Sequence, residues 1–295
     1  ARTAPVRVAY VSADMGNHPV GHLMRSVFGM HDRKVVSPRV YTLTAPDGSE
    51  YFHAIKNGSA VVRDVSEAGD RQASALVRSD GADVAVDLMG LTRRGRPGLM
   101  ARRELAPVQA AYMGWAASPA APYIDYTVAD RLVAPPEQFG PLFRERLVHM
   151  PHSYYVNDYA SSAAARPLEE RFGSLAEARR HEGLPTGSVV LANPNMPFKV
   201  DPELFEAWAG ILHRVPDAVL WLLKYEGHAV PHIRRELQAR GVRAERGFFG
   251  EWAEKDEHLA RLGLADLVLD TVQYSGHTTT TDALWAGGAP PAPPA

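Results

Sequence analysis

The sequence contains no cysteine, which excludes disulfides, thiolate metal sites and a cysteine nucleophile and fits a reducing compartment. It has no apolar run of about 18 residues, the length a membrane span needs. Ala1-Arg2-Thr3-Ala4-Pro5 also lacks the apolar core of a signal peptide, so the expectation is a chain that neither spans a membrane nor is secreted. Charge of either sign is not in excess: the net value is −2, leaving no polybasic surface for nucleic acid or an anionic membrane. No G-x-G-x-x-G follows the first apolar run, which disfavours a dinucleotide oxidoreductase. Lysine is scarce. Of the 32 basic residues only Lys34, Lys56, Lys199, Lys224 and Lys255 are lysine, so arginine is the default cation here.

What is present is an ordinary globular composition, 45% hydrophobic and 22% charged over 295 residues, enough for two lobes of about 150 residues each. Val6 to Ser12 reads as an opening strand. The loop Asp14-Met15-Gly16-Asn17-His18-Pro19 follows, then a helical pattern through Val20, Leu23, Met24, Val27 and Phe28. Further strands are expected at 39–43, 60–65, 82–90 and 107–115, with a loop over 118–126 and a closing run at 147–152. Residues 158–186 are rich in Ala, Ser, Arg and Glu and read as a linker. A second series of strand and helix begins at Gly187. Asp201-Pro202 marks a helix start there, and strands are expected at 187–193, 218–223 and 246–250, with a last one at 264–270. Repeated βα units in both halves predict two doubly wound lobes: residues 1–157, a linker over 158–186, and residues 187–295.

In a parallel sheet, loops after successive strands leave from one edge. Three such loops of the second lobe carry chemistry: Lys199 after its first strand, Lys255-x-x-His258-x-x-Arg261 after its third, and His277 with four threonines and Asp282 after its fourth. Two of five lysines lie in these loops, which suggests that a compact point charge is wanted. A lysine, a helix N-terminus and clustered hydroxyls describe a diphosphate seat. The threonines read as a hydroxyl-rich helix cap, and three-residue spacing places Lys255, His258 and Arg261 on one helix face, able to address one ligand. In the first lobe His18 stands in a strand-end loop. The Arg93-Arg94-x-Arg96 group reads more simply as a solvated loop. Asp80, Asp83 and Asp87 are carboxylates whose plainer role is capping or packing.

Several of these stretches together resemble the catalytic region of the O-linked N-acetylglucosamine transferases: Gly16-Asn17-His18-Pro19, Asp83 to Gly90, Ala106-Pro107-Val108-Gln109, Asn195 to Pro202, Val219 to Leu223, Lys255 to Arg261 and Gly276 to Gly287. The resemblance covers nearly the whole chain. It implies two Rossmann-like lobes of the GT-B type and inverting transfer of N-acetylglucosamine from UDP-GlcNAc to Ser or Thr hydroxyls of proteins. It also implies no metal or other cofactor, a cytoplasmic or nuclear setting, and tetratricopeptide repeats ahead of the catalytic region in longer members, although no 34-residue repeat occurs here. By position it implies that His18 is the proton acceptor and Lys199 the cation on the diphosphate. Met196, Ala253, Glu254, Lys255, His258, Leu259, Ala260 and Arg261 then fall on nucleotide contacts, His277, Thr278 and Thr279 on the phosphate loop, and Asp282 on the carboxylate near the ribose.

Departures from the family pattern are definite. Met196 stands where Gln is usual and Phe198 where Tyr is usual, and Trp115-Ala116-Ala117-Ser118 replaces a Tyr-Pro-Gly-Thr turn. The chain begins without Met and ends in an Ala-Pro tail where the family continues. It therefore reads as a segment of something longer, with the second lobe incomplete and weak or absent activity expected. Two other readings stand beside the transferase: a GDP-fucose-dependent protein O-fucosyltransferase of the related plant type, and a nucleotide-binding protein without turnover.

Overall fold

The computed structural model describes residues 4–161, 167–225 and 227–287. The chain divides into two compact units, residues 1–161 and 162–295, each an α/β sandwich around a parallel sheet.

The first unit has seven strands: β1 (Val6–Ser12), β2 (Val36–Thr42), β3 (Val61–Asp64), β4 (Val84–Asp87), β5 (Val108–Ala111), β6 (Tyr126–Asp130) and β7 (Arg146–Met150). All pair in parallel, in the order β3-β2-β1-β4-β5-β6-β7. From β1 the chain moves outward to β2 and β3, then returns to β4 on the other side of β1, with Val8 opposite Val84 and Val11 opposite Asp87. Right-handed crossovers put the helices before and after that reversal on opposite faces, so a crevice opens at the C-terminal ends of β1 and β4. Alternation along β1 feeds two cores. Ala9 and Val11 pack with Tyr41, Ala85 and Met89 on one face, and Tyr10 packs with Met24, Phe28, Val40 and Ile55 on the other. Strand β6 falls partly where the sequence suggests loop. It is tied to β5 by only two residue pairs and to β7 by five, so its strand character comes from its neighbours rather than from a local pattern.

The second unit has four strands, β8 (Val189–Asn193), β9 (Ala218–Leu223), β10 (Gly247–Gly250) and β11 (Leu267–Val268), in the parallel order β10-β9-β8-β11. The expected strand over 264–270 shrinks to two residues, Leu267 and Val268, paired with Leu191 and Ala192 of β8. The reversal point here is between β8 and β11. Helix Pro202–Arg214 buries Leu204, Phe205, Trp208 and Leu212 on one face of the sheet. On the other face Ala260, Leu262 and Ala283 pack with Leu168, Ala178 and Leu184.

Those last three residues belong to the stretch read as linker. Helices Leu168–Phe172 and Leu175–His181 stand there, and the buried Arg179 donates from Nε and Nη2 to the Leu264 carbonyl at 3.0 and 2.8 Å and pairs with Asp266 at 2.8 Å. Two short helices offering one apolar residue per turn give too weak a periodicity to stand out against Ala, Arg and Glu. Residues 162–166 of the expected linker, and the Ala-Pro tail over 288–295, lie outside the described residues. No described helix is long and apolar enough to cross a membrane.

Candidate active site

At the C-terminal edge of the second sheet, the turn Pro197–Lys199 is fixed by the helix that follows it. Asp201 caps that helix, its Oδ1 accepting from Leu204 N–H at 2.7 Å, and Pro202 occupies the first turn. The Lys199 N–H bonds the Met196 carbonyl at 3.0 Å. The Lys199 ammonium donates to Asn195 Oδ1 at 3.1 Å and to the Ser275 carbonyl at 3.5 Å, and it lies 4.6 Å from the centre of the Tyr274 ring. Asn195, only 5% exposed, joins both loops. Its Oδ1 also accepts from Thr279 Oγ1 at 3.0 Å, its Nδ2 reaches Asp270 Oδ1 at 3.4 Å, and its N–H is held by Asn193 Oδ1 at 3.1 Å. Asp270 closes the loop after β11 by accepting from Thr271 N–H at 2.8 Å and Gly276 N–H at 2.7 Å. Gly276 is there for space: a Cβ would sit 2.4 Å from Thr279 Oγ1 and 2.6 Å from Thr280 Oγ1.

Helix Thr278–Trp285 opens from this loop with His277 at its N-cap and no side-chain cap bond. The threonine hydroxyls correct the sequence expectation. Thr279 donates to Asn195, Thr280 to the Gly276 carbonyl at 2.8 Å and Thr281 to the His277 carbonyl at 3.0 Å, so these hydroxyl protons serve the protein rather than a ligand. Thr281 N–H makes the first bond within the helix, to His277 O at 3.1 Å. The amides ahead of it, with the dipole, are the helix's anion-binding feature. Burial lowers the Lys199 pKa, partly opposed by Asp270. Burial and then the Lys199 charge lower the His277 pKa. Lys199 and His277 therefore lie close enough to act on each other in one seat, with the Asp270 carboxylate opposing both shifts.

Farther along the rim, helix Lys255–Leu262 brings Lys255 into an ion pair with Asp282, a carboxylate only 5% exposed, and His258 Nε2 stands 3.6 Å from the same carboxylate. Asp282 is thus held by protein cations. Arg261 does not join them: its Nη1 donates to the Glu251 carbonyl at 2.7 Å and its guanidinium pairs with Glu182 at 2.8 Å. The three-residue spacing therefore does not deliver all three cations to one point. His258 and Arg261 do line one small cleft of about 40 Å³ with Asn193, Leu222, Gly250 and Glu251, at the ends of β8, β9 and β10. Leu259 and Ala260 are buried, Ala260 in the core, so only their backbone is available to a ligand. Ala253 and Met196 are half-buried and Glu254 is exposed.

In the first unit a cavity of about 530 Å³ occupies the crevice where β1 and β4 diverge, lined by Asp14, Asn17, His18, Asp47, Arg93 and Arg94 among others. His18 caps helix Pro19–Met24, its Nδ1 accepting from Val20 N–H at 3.3 Å, and stands 3.6 Å from Asp14 Oδ2. That cap bond puts the proton of a neutral imidazole on Nε2. Accepting a proton at Nε2 requires the other tautomer, with Nδ1–H turned to Asp14. Burial lowers the His18 pKa, Asp14 opposes the shift and Arg94 adds to it. Arg96 is structural, bonded to Asp70 at 2.8 and 2.5 Å and to the Val65 and Ala68 carbonyls, whereas Arg93 and Arg94 line the cavity. Their position in the loop after β4 is the signal that identifies them. Asp80 is held by Tyr41 and Arg63, and Asp83 by Arg7, near the N-terminal end of β4 and away from His18. Asp87 accepts from Met89 N–H at 2.8 Å, and burial raises its pKa.

Sequence and fold comparisons agree on what such a pair of units is. Residues 1–173 and 162–291 match glycosyl transferase family 41. The chain belongs to that family. Its fold is of the GT-B class: 98% of the chain superposes on 52% of an O-GlcNAc transferase mutant from Thermobaculum terrenum, with a TM-score of 0.84 and 29% identity. Anabaena HepE in complex with UDP shares the fold alone, with a TM-score of 0.57 and 11% identity over 97% of this chain and 80% of that one. Among curated relatives, the family 41 chain is 38% identical to the probable UDP-N-acetylglucosamine–peptide N-acetylglucosaminyltransferase SEC of Arabidopsis thaliana, over 96% of this chain and 28% of that protein. It is 26% identical to the UDP-N-acetylglucosamine–peptide N-acetylglucosaminyltransferase of Caenorhabditis elegans, over 96% of this chain and 33% of that protein. The chain thus spans about three-tenths of the length of these relatives. Family 41 is, by its description, a family of glycosyl transferases.

Proposed function

We propose that this chain is the catalytic region of a glycosyltransferase that moves N-acetylglucosamine from UDP-GlcNAc to Ser or Thr hydroxyls of proteins, with inversion at the anomeric carbon. The observation that carries the reading is the convergence of Lys199, His277 and the N-terminus of helix Thr278–Trp285 on one seat, organised by Asn195 and Asp270. The acceptor oxygen attacks the anomeric carbon, the bond from that carbon to the diphosphate breaks, and the electron pair leaves with UDP. Lys199 and the helix amides meet the charge that grows on the leaving group, so no divalent ion is required. His258 and Arg261, at the ends of β8, β9 and β10, are the groups expected to border the uracil and ribose; the cleft of about 40 Å³ between them is too small to enclose either. His18 of the first unit is the residue read as proton acceptor, a role its Nε2 can fill when Asp14 holds its Nδ1–H.

The test is incubation of the chain with UDP-GlcNAc and a Ser/Thr peptide, reading UDP release and labelled peptide together. Lys199→Ala is expected to lower the rate by about 10²-fold to 10³-fold, the scale for losing one group that stabilises transition-state charge. Undiminished transfer by that variant, or transfer abolished by EDTA, overturns the reading. UDP is expected to raise the melting temperature and GDP is not; the reverse selects the fucosyl donor. UDP binding with no product over long incubation selects the non-catalytic alternative.

A further inference from the structure

We propose that Glu182, in the stretch that reads as linker, is a positioning residue for the nucleotide: it fixes the Arg261 guanidinium at the rim so that Nη2 can donate to a carbonyl of the base. The role rests on the nucleotide seat proposed above and names what holds one of its walls. Local structure sets Glu182 in place. Helix Leu175–His181 is capped by Glu182, and Gly183 follows with φ +70°, the left-handed conformation that closes a helix. Gly183 N–H bonds the Arg180 carbonyl at 3.1 Å and Leu184 N–H the Arg179 carbonyl at 2.8 Å. The buried Leu184 then packs in one core with Ala178.

A carboxylate is out of place at this point. The carbonyl end of a helix carries partial negative charge and favours cations, which the preceding Arg179, Arg180 and His181 supply. The Glu182 side chain is also only 6% exposed, and a buried carboxylate is costly without a partner. Arg261 answers both. Its Nε stands 2.8 Å from Glu182 Oε2, although Nε–H has no acceptor in line, so the contact is one of charge rather than an aligned hydrogen bond. His181 Nδ1 stands 3.3 Å from the other oxygen, Oε1.

From Arg261 the contacts reach the rim. Nη1 donates to the Glu251 carbonyl at 2.7 Å, just beyond the end of β10, while the Glu251 carboxylate is taken by Lys224. Among the described residues no hydrogen-bond acceptor takes Nη2, and Arg261 borders the cleft beside His258. A guanidinium held at two of its three nitrogens presents the third in a fixed direction, which planar recognition of a carbonyl requires. The same helical stretch meets helix Lys255–Leu262 again where Arg171 Nη1 donates to Glu257 at 2.7 Å. Arg179, bonded to the Leu264 carbonyl, holds the exit of that helix. The segment is a brace on this wall of the seat.

The experiment measures UDP affinity by calorimetry on the whole chain. Glu182→Gln keeps size and removes charge. Taking a negative charge away from a site for an anion strengthens binding by simple attraction, so a loss of affinity reports lost positioning. UDP affinity is expected to fall about fivefold in Glu182→Gln and about tenfold in Arg261→Met, the scale of one hydrogen bond from a charged donor. In the double variant, which leaves neither charge unpaired, the loss is expected to equal that of Arg261→Met alone. Losses from Glu182→Gln and Lys199→Ala, at separate points of the seat, are expected to add. UDP affinity unchanged or raised in Glu182→Gln overturns the role, as do additive losses in the Glu182–Arg261 pair. UDP affinity unchanged in Arg261→Met overturns it too and leaves the diphosphate seat standing. A wild-type chain that binds no UDP overturns the nucleotide reading, and this role with it.

Discussion

Asn195 is the residue whose substitution most directly tests how the seat is organised. Its Oδ1 accepts from the Lys199 ammonium at 3.1 Å and from Thr279 Oγ1 at 3.0 Å. A hydrogen bond to a charged group contributes about 1.5 to 3 kcal/mol and a neutral one about 0.5 to 1.5 kcal/mol. Lys199 is only half-buried and regains water when released, which puts its share at the low end. Asn195→Ala should therefore cost about 2 kcal/mol, a fall of about 6 °C in the melting of a unit this size followed by circular dichroism. With Lys199 unfixed, UDP affinity should fall about tenfold. Asn195→Asp separates charge from geometry. It keeps an acceptor for Lys199 and Thr279, but sets a second carboxylate where Nδ2 stands 3.4 Å from Asp270 Oδ1 and adds negative charge to an anion seat. The aspartate variant should thus bind UDP more weakly than the alanine variant although it keeps more hydrogen bonds, and the gap should narrow in high salt. Calorimetric affinities in the reverse order, or wild-type affinity in Asn195→Asp, would refute the diphosphate assignment of this rim.

Asp282→Asn should cost about 3 kcal/mol in urea unfolding, because Lys255 is left with its charge in a site only 14% exposed; adding Lys255→Met should restore more than half, and additive losses would show that the pair is not coupled. Burial holds the His18 pKa below its ordinary 6.5, so the unfolded chain binds more protons there just below that pH, and the His18 contribution to stability falls as pH drops through this window. If neutral His18 takes the proton, the acid limb of kcat/KM should move down in Asp14→Asn, which removes a raising charge, and up in Arg94→Ala, which removes a lowering one; shifts in the same direction would exclude the role. Gly276→Ala should weaken UDP binding and lower stability by about 2 kcal/mol, since its Cβ meets Thr279 Oγ1 at 2.4 Å; an unchanged melting curve would contradict the close approach.

What could be read from residues alone was whatever local rules determine. Asp201-Pro202 announces its helix whatever surrounds it, and two loops after parallel strands must leave one edge, so Lys199 and His277 were expected together and stand together through Ser275 and Tyr274. The readings that failed needed a tertiary partner. Helix spacing gave Arg261 the same face as Lys255, but not Glu182 and the Glu251 carbonyl that take it elsewhere. Four consecutive threonines read as ligand donors until the Gly276 and His277 carbonyls and Asn195 claim three of the hydroxyls. Helices Leu168–Phe172 and Leu175–His181 read as linker because their apolar residues are few.

The most consequential omission is of a different kind. Asn193, Asn195 and Asp270 stand at or just beyond the ends of β8 and β11, the two Asn residues buried, where an unbonded amide or carboxylate is costly. Asn193 gives Nδ2–H to the Leu269 carbonyl at 2.8 Å and takes Asn195 N–H, Asn195 takes Lys199 and Thr279, and Asp270 takes Thr271 and Gly276. The loop that presents Lys199 and the loop that presents His277 are thereby stitched to each other before any ligand arrives. Cations draw the eye in a sequence, yet their placement here is inherited from two asparagine amides and the Asp270 carboxylate, which the charge pattern alone does not single out. It follows that replacing Lys199 probes charge and replacing Asn195 probes preorganisation, and the two substitutions fail in different ways: Lys199→Ala keeps the Thr279–Asn195 bond between the loops and loses the smaller share of stability, whereas Asn195→Ala loses both bonds and UDP affinity together.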